Sequence, residues 1–140
     1  MLSAYPACFI KEENGYSVIF PDLNNLATCG QTLDEAFSMA VDCLAGYLYW
    51  LQKDGDIIPA ASSIEKINPT KIAEDLEVIP EKAFVNIVTV DVEEYAKVHF
   101  EKSVKKTLTI PAWLNKAALE QNINFSQVLQ DALKSQLHLG

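Results

Sequence analysis

The chain has no arginine. Its positive charge rests on 11 lysines, set against 19 aspartates and glutamates, for a formal net charge of −8 over 140 residues. With so few cations, any nucleic-acid surface makes few phosphate contacts, so its nonspecific affinity is weak. Histidine is scarce too. His99 and His138 stand far apart, neither beside a cysteine or carboxylate at a metal-ligand spacing. No Ser-His or Cys-His arrangement carries a flanking motif, and the five glycines form no phosphate-cradling loop. No apolar run approaches the roughly 18 residues that argue a membrane span. The three cysteines, Cys8, Cys29 and Cys43, are odd in number and widely spaced. They read as buried reduced thiols, not a disulfide framework, which sets the expected compartment as the cytoplasm. The opening MLSAYPACFIKEENG has no basic start and no sustained apolar stretch, so no signal peptide is expected.

What is present is a globular composition, 49% hydrophobic and 21% charged, long enough for one ordinary domain or two small ones. Charge divides it unevenly. Residues 1–100 hold 6 Lys and 16 Asp or Glu, giving −10; residues 101–140 hold 5 Lys and 3 acids, giving +2. An acidic body joined to a mildly basic tail suggests two partners of opposite charge.

In the body, Leu2–Lys11 is β-compatible, and Asn14-Gly15 before Tyr16–Phe20 (YSVIF) is a hairpin signal. Pro21 and Asp22 end the second strand, and Ala27–Gly30 (ATCG) makes a short third. Thr32-Leu33-Asp34-Glu35 is a capping box, with both acids at the positive end of the helix dipole. Apolar residues recur at three and four from Leu33 to Leu51, and Gly55 is a stop, so a helix is predicted from about Leu33 to Asp54. Pro59, Pro69 and Pro80 punctuate an irregular crossing, with short helical turns expected at Ser63–Lys66 and Thr70–Asp75. Ala83–Val90 (AFVNIVTV) is a β-branched run that suits a central strand covered on both faces. Asp91–Phe100 reads as a short helix or linker. The order β-β-β-α-β predicts an α+β body.

The ordered combination of "YPACF" with "NGYSVIFPDLNNLATCGQTLDEAFSMAVDCLAGYL" resembles the HicB antitoxin pattern from Tyr5 to Leu51, and more loosely to Val90. The resemblance implies a degenerate ribonuclease-H-like fold and a role in binding and silencing HicA, a small mRNA interferase toxin. On this chain the expected toxin contacts are Asp22, Asn24, Asp34 and Glu35, at the loop before the long helix and its first turn. A ribonuclease of this fold class needs carboxylates converging on divalent metal. The candidates Asp22, Asp34, Glu35 and Asp42 lie at a strand end, on a first turn and on an exposed helix face. No enzyme activity, metal or other cofactor is therefore expected.

In the tail, a strand over Ser103–Ile110 would put Val104, Lys106, Leu108 and Ile110 on one face and Lys105, Thr107 and Thr109 on the other. A two-stranded ribbon with a cation and hydroxyls on its outer face fits the DNA major groove. Pro111 stands at or near the start of a helix. Asn122-Ile123-Asn124 breaks it, and Asn124-Phe125-Ser126-Gln127 caps a second helix, with Ile123 and Val128 placed for a hydrophobic staple. One strand and two short helices bury no core alone, so a second copy is required. This tail resembles the ribbon-helix-helix domain. The resemblance implies Lys105, Thr107 and Thr109 in the major groove, with Asn124 and Ser126 at the helix start toward phosphate. Two features depart from it: no arginine is present, and Lys106 falls where an apolar residue is usual, its stem free to snorkel.

The expected organisation is thus a toxin-binding domain over 1–95, a linker over 96–101 and a ribbon-helix-helix dimerisation domain over 102–140. Its function would be toxin neutralisation with autorepression on double-stranded operator DNA, as a homodimer. A rival reading is a stand-alone regulator whose body senses a small molecule through Tyr47, Tyr49 and Trp50.

Overall fold

Tyr5 to Ile10 is the most deeply buried run of the chain, six consecutive residues without one open to solvent. A strand buried on both faces is a central strand, and β1 (Leu2–Glu12) has β2 (Gly15–Phe20) on one side and β4 (Ala83–Asp91) on the other, both antiparallel. With β3 (Leu26–Gly30) beyond β2, the sheet order is β3-β2-β1-β4. The structure, a computed structural model, describes residues 1–101 and 103–139. It divides into two compact units, 1–102 and 103–140.

β1 carries Pro6 in mid-strand, where a missing N–H ordinarily breaks a ladder. Pro6 lies opposite Ile87 of β4, and pairing with β2 starts only at Cys8↔Ile19. The proline therefore sits beyond the reach of β2. The hairpin turns at Glu13-Asn14, one residue earlier than Asn14-Gly15, because Gly15 already pairs with Glu12. Gly15 has φ +149°, and a Cβ there would collide with the Gly30 carbonyl.

Helix α1 (Leu33–Lys53) starts where the capping box predicts, the Thr32 hydroxyl accepting from the Glu35 amide at 3.1 Å. It buries Ala36, Ala40, Leu44, Ala45 and Leu48 on the sheet. Three alanines in that stripe let the backbone come close, while Phe9 fills the centre, its ring 4.4 Å from Phe37 and 5.2 Å from Phe84. Each large apolar side chain so buried contributes about 1.5–3 kcal/mol. Helix α2 (Pro69–Asp75) lies on the opposite face over Cys8, Ile10 and Ile19. Helices α1 and α2 end alike, with Gly55 (φ 70°) and Glu77 (φ 60°) in the left-handed conformation and the next amide bonded back to Leu51 and Ala73.

β4 is an edge strand, not the central one its composition suggests. Phe84, Val88 and Val90 face α1, while Ile87 on the other face remains 38% exposed. Of the two readings of Asp91–Phe100, the short helix holds: Val92–His99 forms helix α3, capped by Asp91 and burying Val92 and Ala96. Among the described residues no helix is long and apolar enough to cross a membrane.

In the second unit, helices α4 (Ala112–Glu120) and α5 (Phe125–Gln136) are joined by a left-handed Asn122 (φ 53°), the Ile123 amide closing back on Ala118. Pro111 takes the N-cap position, one place before the helix. The predicted strand over Ser103–Ile110 is absent from the single chain. In the single chain these residues have no regular secondary structure and no neighbour to pair with among the described residues, and a strand is defined by its partner. Lys102 and Gly140, the expected ends of this segment, lie outside the described residues.

Candidate functional site

Of the four expected toxin contacts in the N-terminal unit, one is committed internally. Asp22 sits in a 3-10 turn, Pro21–Leu23, between β2 and β3. Its Oδ2 accepts from the Ser62 amide at 2.8 Å and its Oδ1 from the Ser62 hydroxyl at 2.7 Å. Beside it the buried Tyr5 hydroxyl donates to the Pro59 carbonyl. Burial first, and then the charge of Asp22, raises the Tyr5 phenol above its ordinary pKa. These two side chains fasten the extended segment that follows α1. Sequence punctuation at Pro59 and Ser62 marks that segment, but nothing local names its holders.

Asn24 is exposed and left-handed (φ 58°), as is Asn25 (φ 57°), a conformation asparagine tolerates better than most residues. Asp34 and Glu35 project from the first turn of α1, both exposed. That turn is fixed against the end of β3 because Gly30 has no side chain: a Cβ there would strike the Glu35–Ala36 backbone. The four candidates are therefore a turn carboxylate turned inward and three exposed polar groups.

Asp42, expected on an open helix face, is half-buried and accepts from the Tyr95 hydroxyl at 2.9 Å. This bond ties α3 to α1. Burial, and then this bond, push the Tyr95 phenol up to about 12. Around it His99 stacks on Tyr95 (3.9 Å) and its Nδ1–H donates to the Tyr95 carbonyl oxygen at 3.0 Å, while Phe100 packs on Tyr49 (5.4 Å) and Tyr95 (5.6 Å). Tyr47 and Tyr49 pack against the core, Tyr49 also meets Phe100 at the end of α3, and Trp50 is 61% exposed. Among the described residues, no three His, Cys, Asp or Glu side chains converge as metal ligands would.

The C-terminal unit presents a groove of about 970 Å³, whose apolar lining comes from Val104, Leu108, Ile110, Phe125, Val128 and Leu129. Val104 is 88% exposed, Leu108 57% and Val128 54%. Lys106 lines the groove with the apolar positions, as the strand alternation predicts, and Thr107 and Thr109 stay out of it. Lys105 departs from that alternation, since it too borders the groove. Asn124 caps α5, its side chain accepting from the Gln127 amide at 3.0 Å. Ser126 borders the groove, and its hydroxyl lies 3.5 Å from the Gln130 amide nitrogen.

The family model described as "HicB_like antitoxin of bacterial toxin-antitoxin system" matches residues 5–130. A chain of the solved toxin-antitoxin complex from Streptococcus pneumoniae is 33% identical, spanning 97% of this chain and 99% of its own length, with a TM-score of 0.63. Antitoxin HicB 2 of Photorhabdus laumondii is 37% identical over 59 residues, 42% of either chain. An uncharacterised 14.9 kDa protein from the rep-hol intergenic region of Haemophilus phage HP1 is 28% identical over 111 residues, 79% of this chain and 74% of that protein. The match runs through both units, from β1 into α5, and on that extent the chain belongs to the HicB-like antitoxins of bacterial toxin-antitoxin systems.

Proposed function

We propose that this chain neutralises a HicA-type ribonuclease toxin through its N-terminal unit, a degenerate ribonuclease-H-like domain that itself has no catalytic role. We further propose that two copies join through residues 103–139 as a ribbon-helix-helix dimer on operator DNA, repressing the operon that encodes both proteins. The observation that carries the dimer is the uncovered groove: Val104, Leu108, Phe125 and Val128 leave a large apolar surface in water on a segment too small to bury it alone. Pairing the 103–110 segments antiparallel would satisfy their backbone, cover that surface and turn Thr107 and Thr109 outward together.

Charge supports the division of labour. The −10 of residues 1–100 suits a basic toxin and speeds its association, and the +2 of residues 101–140 is a weak attraction for DNA. Lys105, Thr107 and Thr109 are the proposed base-reading residues, and the α5 start, with Asn124 and Ser126, is the proposed phosphate clamp. Because the acidic units repel DNA, a bound basic toxin should strengthen operator binding. Mobility shifts of operator DNA with and without the toxin test this. Tighter binding with toxin is expected; equal affinity would sink the charge argument. Sedimentation of the full chain should show a dimer, and a monomer at micromolar concentration would contradict the ribbon.

A further inference from the structure

The segment between α1 and α2 is held in an unusual way. Residues 56–63 have no regular secondary structure, yet they are fastened at two points from other elements: Tyr5 of β1 binds the Pro59 carbonyl, and Asp22 binds both the amide and the hydroxyl of Ser62. At the other end the Asp56 amide closes on Leu51 of α1. Two isoleucines lie between these anchors, and the first stands out into solvent. Ile57 is 91% exposed and Ile58 40%. Asp54 and Asp56 precede them, both exposed and neither in an ion pair among the described residues.

An extended segment fastened in this manner has already lost the conformational freedom that a loose loop gives up on binding. An apolar side chain in open water on such a support, beside unpaired carboxylates, has the composition of an interface anchor with a charged rim. The charge of the unit that bears it selects a cationic partner. We propose that Asp56–Ser62 is the docking edge for the toxin, with Ile57 inserted into an apolar recess and Asp54 and Asp56 facing lysines or arginines around it. This rests on the toxin-binding reading above and adds its location. Asp22 then acts at one remove, as a positioning residue that holds the edge in shape, and does not itself touch the toxin.

The test is surface-plasmon measurement of the full chain against a HicA-type toxin, with thermal melts of each variant as the folding control. Ile57→Ser should leave the melt unchanged and weaken binding roughly tenfold or more, chiefly through faster dissociation. Val98→Ser, which trims another strongly exposed apolar side chain (77%) on α3, should bind within about twofold of the natural chain. Asp54→Asn with Asp56→Asn should slow association and flatten its salt dependence. If the natural chain binds and Ile57→Ser binds equally well, the location is wrong and the toxin reading stands. If the natural chain itself fails to bind, both fall.

Discussion

Asp22 and Ser62, 40 residues apart, are joined by two hydrogen bonds through both carboxylate oxygens, at 2.8 and 2.7 Å. The turn after β2 and the segment after α1 are thereby one piece of structure. Asp22→Ala leaves the Ser62 amide and hydroxyl without their acceptor in a partly buried place, at a cost of about 1–3 kcal/mol. The N-terminal unit should melt several degrees lower, and Asp22→Asn, which keeps one acceptor oxygen, should fall between. An unchanged melt with lost toxin affinity would instead make Asp22 a direct contact.

Tyr95 and Asp42 make a second long-range tie, and it is pH-dependent. The folded phenol is raised to about 12, by burial first and then by the Asp42 carboxylate. A group raised on folding contributes stability that is full below its unfolded value, near 10, and lost as pH rises through its folded value. The tie between α3 and α1 should therefore weaken between these limits. Tyr95→Phe should flatten that alkaline decline, which denaturant melts across the range would register.

Local chemistry was legible in the sequence and remote chemistry was not. The caps at Thr32 and Asn124 lie where spacing predicts, because a cap and its amide are three residues apart. The bonds Asp22–Ser62, Tyr5–Pro59 and Asp42–Tyr95 cross 40, 54 and 53 residues, and no local pattern encodes them. The apolar run of β4 was misleading for a related reason. Hydrophobicity reports burial, but an edge strand under a helix and a central strand can share a composition, and only the pairing order separates them. Val104, Lys106, Leu108 and Ile110 line the groove as the alternation over 103–110 predicts, but Ser103 and Lys105 border it too, so the pattern holds only in part.

The three cysteines should differ sharply toward alkylation. Burial pushes the Cys8 thiol up to about 11, and Cys43 is raised by burial and by neighbouring Asp42, while Cys29 is exposed on β3. Thiolate is the reactive form. Mass spectrometry should find Cys29 modified first, Cys43 more slowly and Cys8 only when the unit unfolds.

In the C-terminal unit, Leu108→Lys and Val128→Lys place charge in the groove and should shift the full chain to monomer in sedimentation. Thr107→Ala or Lys105→Ala should keep the dimer and cost about 1–3 kcal/mol of operator discrimination each. Asn124→Ala removes the cap bond that the Gln127 amide donates and should lower stability by about 1 kcal/mol.

The central claim is that the acidic N-terminal unit silences a ribonuclease. The direct measurement is RNA cleavage by a HicA-type toxin, alone and with an equimolar amount of this chain. Cleavage should cease at equimolar addition and return partly with Ile57→Ser. Undiminished cleavage, with this chain folded and bound to its operator, would contradict the account and leave a DNA-binding regulator in its place.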